Sequence, residues 1–270
     1  MQFSVATWNI NSVRLRIRLV TRFLRTHSPD ILCLQEIKCL PDNFPYRALK
    51  RLGYEHIAVH GQRGYHGVAI VSRIPFTFES SHQFCGKEDA RHVYVTIADG
   101  TREIDLHNFY VPAGGDEPNP ETNAKFDHKL SFLDEMRDWL GQSDRRRSAI
   151  LVGDLNVAPM EQDVWSHKQL LRVVSHTPME TDRLEAIIGS GGWNDVARHF
   201  VPANEKLYTW WSYRARDWRL SNRGRRLDHI WVTEPLTDRL SGIEIVTDAR
   251  GWPRPSDHVP VIATIDGALT

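Results

Sequence analysis

Near the end of the chain, the stretch RPSDHVPVIA at 254–263 sets an acid and an imidazole, Asp257 and His258, side by side ahead of an apolar run of strand length. Similar polar residues stand at the ends of other short apolar runs: Asn9 and Asn11 after FSVATW, Glu36 after ILCLQ, Tyr110 in NFYVP, Asp154 and Asn156 in ILVGDLN, and Asp228 in LDHIWV. No GxSxG nucleophile signature accompanies them, so water is the expected nucleophile. Oxygen donors without a His/Cys cluster favour a hard cation, and Mg²⁺ is usually held by few carboxylates together with waters and substrate phosphate. The set therefore suits phosphoester hydrolysis. A metal would draw charge from the phosphate oxygens, a carboxylate would orient the water, and a cationic His, held by a second carboxylate such as Asp228, would stand beside the phosphate. Each residue alone has an ordinary structural explanation as a turn cap, a strand end or part of the core; the whole set is hard to explain that way.

The elements that must position these groups are legible as periodicity. FSVATWNIN (3–11), DILCLQE (30–36), IDLHNFYVP (104–112), AILVGDLN (149–156), LDHIWV (227–232) and DHVPVIATI (257–265) are strand-length and rich in Val, Ile, Leu and aromatics, as strands buried on both faces are. After Ser12, an expected N-cap, Val13, Ile17, Val20 and Leu24 recur at helical spacing, while Arg14, Arg18, Arg22 and Arg25 fall on another, solvated face. A second helix is expected over residues 124–140 with Phe126, Leu130, Leu133 and Met136 inward, and a third near 181–189. Strands and helices mixed in this order indicate a layered α/β domain. Neither an internal repeat nor a linker-like break interrupts the chain, so residues 1–270 are expected to form one domain. The Pro/Gly-rich loop VPAGGDEPNPETN (111–123) is of a length that tends to carry function.

Composition narrows the class. Lys plus Arg and Asp plus Glu both number 34, so a polyanionic partner has to be argued from local patches and not from net charge. One segment has that local character: residues 206–226 interleave Tyr208, Trp210, Trp211, Tyr213 and Trp218 with Lys206, Arg214, Arg216, Arg219, Arg223, Arg225 and Arg226. Basic residues neutralise phosphates while aromatics stack beside disrupted nucleotides. Trp211 is expected to be a core anchor. Cys33, Cys39 and Cys85 form neither an even disulfide set nor a CxxC zinc pair, and read as reduced thiols of a cytosolic protein. With no secretory leader pattern and no apolar run of membrane-spanning length, a soluble, cytoplasmic, monomeric protein is expected.

The motifs WNINSVR (8–14), LQEIK (34–38), NFYVP (108–112), GDLNVAP (153–159), TWWSYR (209–214), NRGRRLDHIW (222–231) and SDHVPV (256–261) resemble, in order and over essentially the whole chain, those of the exonuclease III family of apurinic/apyrimidinic (AP) endonucleases. The resemblance implies a four-layered α/β sandwich, two packed mixed sheets flanked by helices, as in deoxyribonuclease I. It also implies divalent-metal-dependent hydrolysis of double-stranded DNA: incision 5′ to abasic sites, 3′ to 5′ exonuclease action and removal of blocked 3′ ends, with Mg²⁺ as cofactor and Mn²⁺ able to replace it. Position by position, it implies Glu36 as the principal metal carboxylate with Asn11 and Asp257 beside it. Asp154 is matched to the carboxylate acting on water and Asn9 to its neighbouring amide. Asn156 and Tyr110 are matched to groups holding the phosphate, and Asp228 and His258 to the Asp-His pair at that phosphate. Trp210 matches a wall of the pocket for an extruded abasic sugar; Arg214, Arg216, Arg223, Arg225 and Lys125 are candidate DNA contacts, and the GQRGYHG turn (61–67) is a weaker one. His229, adjacent to Asp228 in a strand, should face away from the site. Some relatives carry Asp in place of Asn11 and Trp in place of Arg225. The same fold also hosts inositol-phosphate phosphatases, sphingomyelinases and RNA deadenylases, so it does not by itself name the substrate.

Overall fold

The computed structural model describes residues 2–99, 102–142 and 147–267. Two six-stranded mixed sheets form its centre. The first has the order β13 (Leu240–Ile245), β14 (Val261–Asp266), β1 (Gln2–Asn9), β2 (Ile31–Gln35), β4 (Val68–Ser72), β3 (His56–His60). The second runs β5 (Phe76–Ser80), β6 (His92–Asp99), β7 (Arg102–Tyr110), β8 (Ser148–Asp154), β12 (Asp228–Thr233), β9 (Trp193–Asp195). A short antiparallel pair, β10 (Trp210–Trp211) and β11 (Gly224–Arg225), stands outside both sheets.

Alternation along the strands decides what each face covers. Val5, Ile31, Cys33, Ile70, Val95, Leu106, Ile150, Val152, Ile230, Val261 and Ala263 point between the sheets and form one apolar layer. Their sequence neighbours point outward. Ala6, Trp8, Leu32 and Leu34 pack under the helix Val13–Thr26, and Phe109, Leu151 and Trp231 under the helices Ala124–Gly141 and Pro178–Gly191. The result is the four-layered sandwich expected from the sequence, with Cys33 and Trp211 in the core as expected. A polar bridge crosses the layer between the sheets: Gln35 Nε2 donates to Asn108 Oδ1 at 2.7 Å, and Asn108 Nδ2 donates to the carbonyls of Leu34 and Ala69.

Local expectations hold with three corrections. Ser12 does not cap its helix through its side chain; its φ is +84° and its N–H donates to the Glu36 carbonyl at 2.7 Å. The last strand begins at Val261, because the segment 257–260 ahead of it, ending in Pro260, is given over to the site. The third helix starts earlier than expected, at Pro178, where a Thr177/Glu180 capping box with proline in the first turn fixes its end.

The two sheets repeat one pairing pattern. In the first, β14 is antiparallel to β1, β1 parallel to β2, and β2 antiparallel to β4. In the second, β6, β7, β8 and β12 follow the same sequence of antiparallel, parallel and antiparallel pairs. The C-terminal ends of the four parallel strands β1, β2, β7 and β8, and the N-terminal starts of their antiparallel partners β12 and β14, therefore lie along one edge of the sandwich.

His229 on β12 is fully buried and faces away from that edge, its Nε2–H donating to the Val157 carbonyl at 2.8 Å. Burial lowers its pKa to about 4 from 6.5, so the folded chain holds the neutral ring while the unfolded chain takes a proton as pH falls below 6.5. The stability this group contributes is full above that pH and is lost as pH drops towards 4, a loss on the order of 3 kcal/mol. Thermal unfolding midpoints measured across this window should fall with acidification, and less steeply for His229→Asn. Parallel slopes for the two proteins would assign the loss to other groups.

Candidate active site

Three of the four parallel strands leave the sheet edge through a sharp left-handed turn. Asn11 (φ +48°), Glu36 (φ +50°) and Asn156 (φ +53°) follow the ends of β1, β2 and β8. Asn adopts this region readily and Glu does not, so Glu36 is the strained member, as residues at functional sites often are. Asn9-Ile10-Asn11 and Asp154-Leu155-Asn156 are the same device. The side-chain oxygen of the first residue accepts the N–H of the third, at 3.1 Å for Asn9 and 3.0 Å for Asp154, turning the chain back over the edge. Gly153 is required just before Asp154 because its φ is +147° and a Cβ there would lie 2.0 Å from the Phe109 carbonyl on the neighbouring parallel strand.

The residues expected to act together do converge. Asn9 Nδ2 donates to Glu36 Oε1 at 2.9 Å and to Asp154 Oδ2 at 2.8 Å, linking the two sheets. Tyr110 donates its hydroxyl to Glu36 Oε1 at 3.0 Å, and Asn156 Nδ2 donates to Asp154 Oδ2 at 3.2 Å and to the Val111 carbonyl at 2.9 Å. Asp228 pairs across the ladder with Asp154. His258 Nδ1 bonds Asp228 Oδ2 at 2.9 Å, while Nε2 lies 3.7 Å from Asp154 Oδ2. Asp257 turns the other way: it accepts Asn11 Nδ2 at 3.3 Å and Trp210 Nε1 at 3.0 Å. The adjacent Asp257 and His258 thus serve two parts of one site.

Burial sets the charges. It lifts the Asp154 carboxyl to about 7, with Asp228 and Glu36 adding to the rise against the pull of His258 and Asn9. Burial alone would lower His258, but the Asp228 and Asp154 carboxylates overcome it and raise the imidazole to about 10. The same desolvation, with the Glu36 and Asp154 charges, keeps Tyr110 a neutral phenol able to donate. Glu36 and Asp257 stay ionised. Burial opposes this, and it is outweighed by Lys38 and Asn9 at Glu36 and by His258 and Trp210 at Asp257.

Two oxygen sets face a cation question. Asp154, Asp228 and His258 lie close enough to share an ion, but a protonated imidazole is no ligand. The other set fits a hard cation better, because Glu36 Oε2 and Asn11 Oδ1 already converge on a positive charge, the Lys38 ammonium, at 2.7 Å each. Asp257 joins that set through Asn11.

Lys38 is one of several residues that sequence reasoning missed, although it lies inside LQEIK, two positions from Glu36. Thr209 Oγ1 donates to Asp228 Oδ2 at 2.6 Å, Ser256 Oγ to the Asn9 carbonyl at 2.6 Å, and Trp8 Nε1 to the His258 carbonyl at 3.0 Å. All three sit within the motifs and position groups of the site. Arg91 belongs to no motif; its guanidinium lies 5.1 Å over the Tyr110 ring and donates to the Tyr110 carbonyl, with His66 of the 61–67 turn at 3.3 Å.

A cavity of about 700 Å³ opens beside the network, large enough for part of a nucleotide. Trp165, Trp210, Arg214, Arg223 and Arg225 line it together with Asp154 and His258. Arg216 and Lys125 are exposed and lie outside this lining. The basic segment divides more sharply than its composition suggested. Arg226 is fully buried, paired with Asp163 at 2.8 Å and Asp195 at 2.6 Å, so it is structural. Lys206 donates to the Val164 carbonyl, and Arg219 pairs with Asp248. His167 bonds His176.

Residues 6–258 match the endonuclease/exonuclease/phosphatase family, and the chain belongs to it. It is a phosphodiester hydrolase. Exodeoxyribonuclease III of Haemophilus influenzae is 30% identical over 95% of this chain and 97% of its own. An AP endonuclease structure from Archaeoglobus fulgidus superposes with a TM-score of 0.89 at 33% identity, covering 98% of this chain and 99% of that one. A 3′ phosphatase from Neisseria bound to product DNA hairpin gives 0.89 at 28% identity, covering 98% and 99%.

Proposed function

We propose that this chain is a DNA repair nuclease that incises abasic duplex DNA and resects or cleans 3′ ends, acting as a cytoplasmic monomer of one domain. The observation that carries the reading is the continuous network from Glu36 through Asn9 and Asp154 to His258 and Asp228, opening on a cavity walled by tryptophan and arginine. That wall favours DNA over the phosphoinositide, sphingolipid and RNA substrates the fold also serves. Free cysteines agree with a reducing compartment, and among the described residues no helix is long and apolar enough to cross a membrane.

Glu36, with Asn11 and Asp257 beside it, would hold one Mg²⁺, or Mn²⁺ in its place, and the ion would supply charge withdrawal from the phosphate oxygens. Asp154 orients the attacking water and takes its proton, and Asn9 fixes the carboxylate by donating to it. Asn156 and the neutral Tyr110 donate to the phosphate, and the His258 imidazolium, held by Asp228, faces the charge that develops there. Asp228 in turn is oriented by Thr209.

The deciding experiment compares three duplexes: one with an abasic site, one blunt and undamaged, and one with a 3′-phosphate, each with Mg²⁺ or Mn²⁺. Metal-dependent cleavage of the abasic duplex is expected; no cleavage of any of the three with either ion would end the reading.

Trp210 has two parts to play, as a cavity wall and as the donor to Asp257. Trp210→Phe removes only the donor, and Trp210→Ala removes both. The alanine variant should therefore lose abasic incision over 3′-end resection by a further factor of about tenfold, the scale of one stacked base. Exposed Arg216, matched to phosphate contact, should when replaced by Ala weaken binding to every duplex alike and flatten its salt dependence. Equal shifts of the incision-to-resection ratio in both classes of variant would place Trp210 outside the lesion pocket.

A further inference from the structure

Behind the turn that carries Asn156 lies an ion pair with no exposed surface, Lys129 with Glu180. Lys129 stands on the inner face of the helix Ala124–Gly141, and Glu180 in the first turn of the helix Pro178–Gly191. The three protons of the ammonium meet three acceptors: the Glu180 carboxylate, the Asn156 carbonyl at 2.7 Å and the Ala113 carbonyl at 3.4 Å. Glu180 also receives the Ser175 N–H at 2.8 and 2.9 Å, and the N–H and hydroxyl of Thr177. The Thr177 contacts cap the helix; those with Lys129 and Ser175 reach beyond it.

The three segments held in this way are left-handed turns at the cavity. Asn156 has φ +53° and Ser175 φ +86°, while Gly114 and Gly115 have φ +88° and +76°. Ala113, Asn156 and Ser175 line the cavity with Asp154 and His258, whereas Lys129 and Glu180 lie wholly buried beneath it. The 113–115 turn rests on the lysine itself: a Cβ on Gly114 would lie 2.9 Å from Lys129 Cδ. Left-handed backbone at a residue with a side chain persists only where its surroundings over-determine it. At Asn156 and Ser175 the ion pair supplies that constraint.

A buried ion pair is weak evidence for stability, because apolar side chains of similar volume often serve as well. No apolar side chain could bond the Asn156 and Ala113 carbonyls. Asn156 has a particular need of a fixed main chain. Both protons of its Nδ2 are spent, on Asp154 Oδ2 and on the Val111 carbonyl, and one must be released before the amide can donate to a phosphate. The side chain then changes partner while the backbone has to stay. We propose that Lys129 and Glu180 are positioning residues for the reaction: the ammonium holds Asn156 by its carbonyl as the amide turns to the scissile phosphate, and the carboxylate holds the lysine and the 174–175 turn beside it. This rests on the reading above as a nuclease with Asn156 at the phosphate.

The test is single-turnover incision of pre-bound abasic duplex, started with Mg²⁺, in which the amplitude reports folded protein and the rate constant reports the reaction. Lys129→Met combined with Glu180→Gln removes both charges, so that neither is stranded, and keeps an acceptor for Ser175. The rate constant should fall about tenfold to a hundredfold, the scale for misplacing a group at the reaction centre by about an ångström, while affinity for undamaged duplex stays that of the wild type. In an Asn156→Ala background the same pair of substitutions should cost about twofold at most, because residues that act through one another are not additive. Glu180→Gln alone, which leaves Lys129 an acceptor, is read in the same cycle where the combined variant does not fold. A reduced amplitude with an unchanged rate constant would make the pair structural and overturn the inference, as would an equal loss of rate in both backgrounds; in either case wild-type incision still supports the nuclease reading. A wild-type chain inactive on abasic duplex overturns both.

Discussion

Asp154→Asn should lower turnover on abasic duplex by about 10² to 10⁴-fold, the usual range for losing a positioned base, while leaving DNA binding intact. The substitution preserves shape and removes charge. Asp154 accepts Asn9 Nδ2 and Asn156 Nδ2 on one oxygen and the Asn156 N–H on the other, so the amide can keep its carbonyl towards part of that set. Removing a negative charge next to a phosphate gives DNA no reason to bind less well. A lost binding affinity equal to the lost rate would mean that Asp154 holds structure and not water. His258→Ala should fall comparably, since it removes the imidazolium itself. Asp228→Ala should fall less, because it removes only the group that holds the ring. Single-turnover rates with pre-bound duplex separate these effects from binding, and near wild-type turnover in Asp154→Asn would move the reaction centre elsewhere.

Chelation should abolish activity, and added Mg²⁺ or Mn²⁺ should restore it. The contribution of such an ion to the transition state is several kcal/mol, or about 10² to 10⁴ in rate. Glu36→Ala should lose a similar factor at fixed cation concentration and recover part of it as the cation is raised. Lys38 sharpens the expectation. Its ammonium lies against Glu36 Oε2 and Asn11 Oδ1, where a divalent cation would be held, so ion and lysine compete for the same oxygens. Lys38→Ala should accordingly lower the cation concentration needed for half-maximal rate. Full activity in excess chelator would rule out the metal-assisted reading for this chain.

The sequence by itself determined the ends of the strands and what stands on them. Apolar runs of strand length stop where Asn9, Glu36, Tyr110 and Asp154 begin to appear, because a strand buried on both faces carries an acid or amide only where partners satisfy it, as at the sheet edge or in the Gln35–Asn108 bridge. The inward turn of His229 follows from a similarly local rule, that neighbouring side chains of a strand face opposite ways, whereas the divergence of Asp257 and His258 was implied by the family resemblance. Tertiary structure decided the rest. The β3 to β6 strands and the pairing order depend on contacts between distant segments, for which the sequence carried weaker signals. Arg91 has no motif because it reaches Tyr110 from the residue just ahead of β6, the strand paired with β7, which is distant in sequence. The division of the basic segment is the clearest case. Arg225 and Arg226 are indistinguishable as letters, yet one meets Asp163 and Asp195 from elsewhere in the chain and becomes structural, while the other meets only a carbonyl and a hydroxyl and faces the cavity. Whether a charge is paired depends on which carboxylates the fold brings within a few ångströms of it, and local spacing does not encode that.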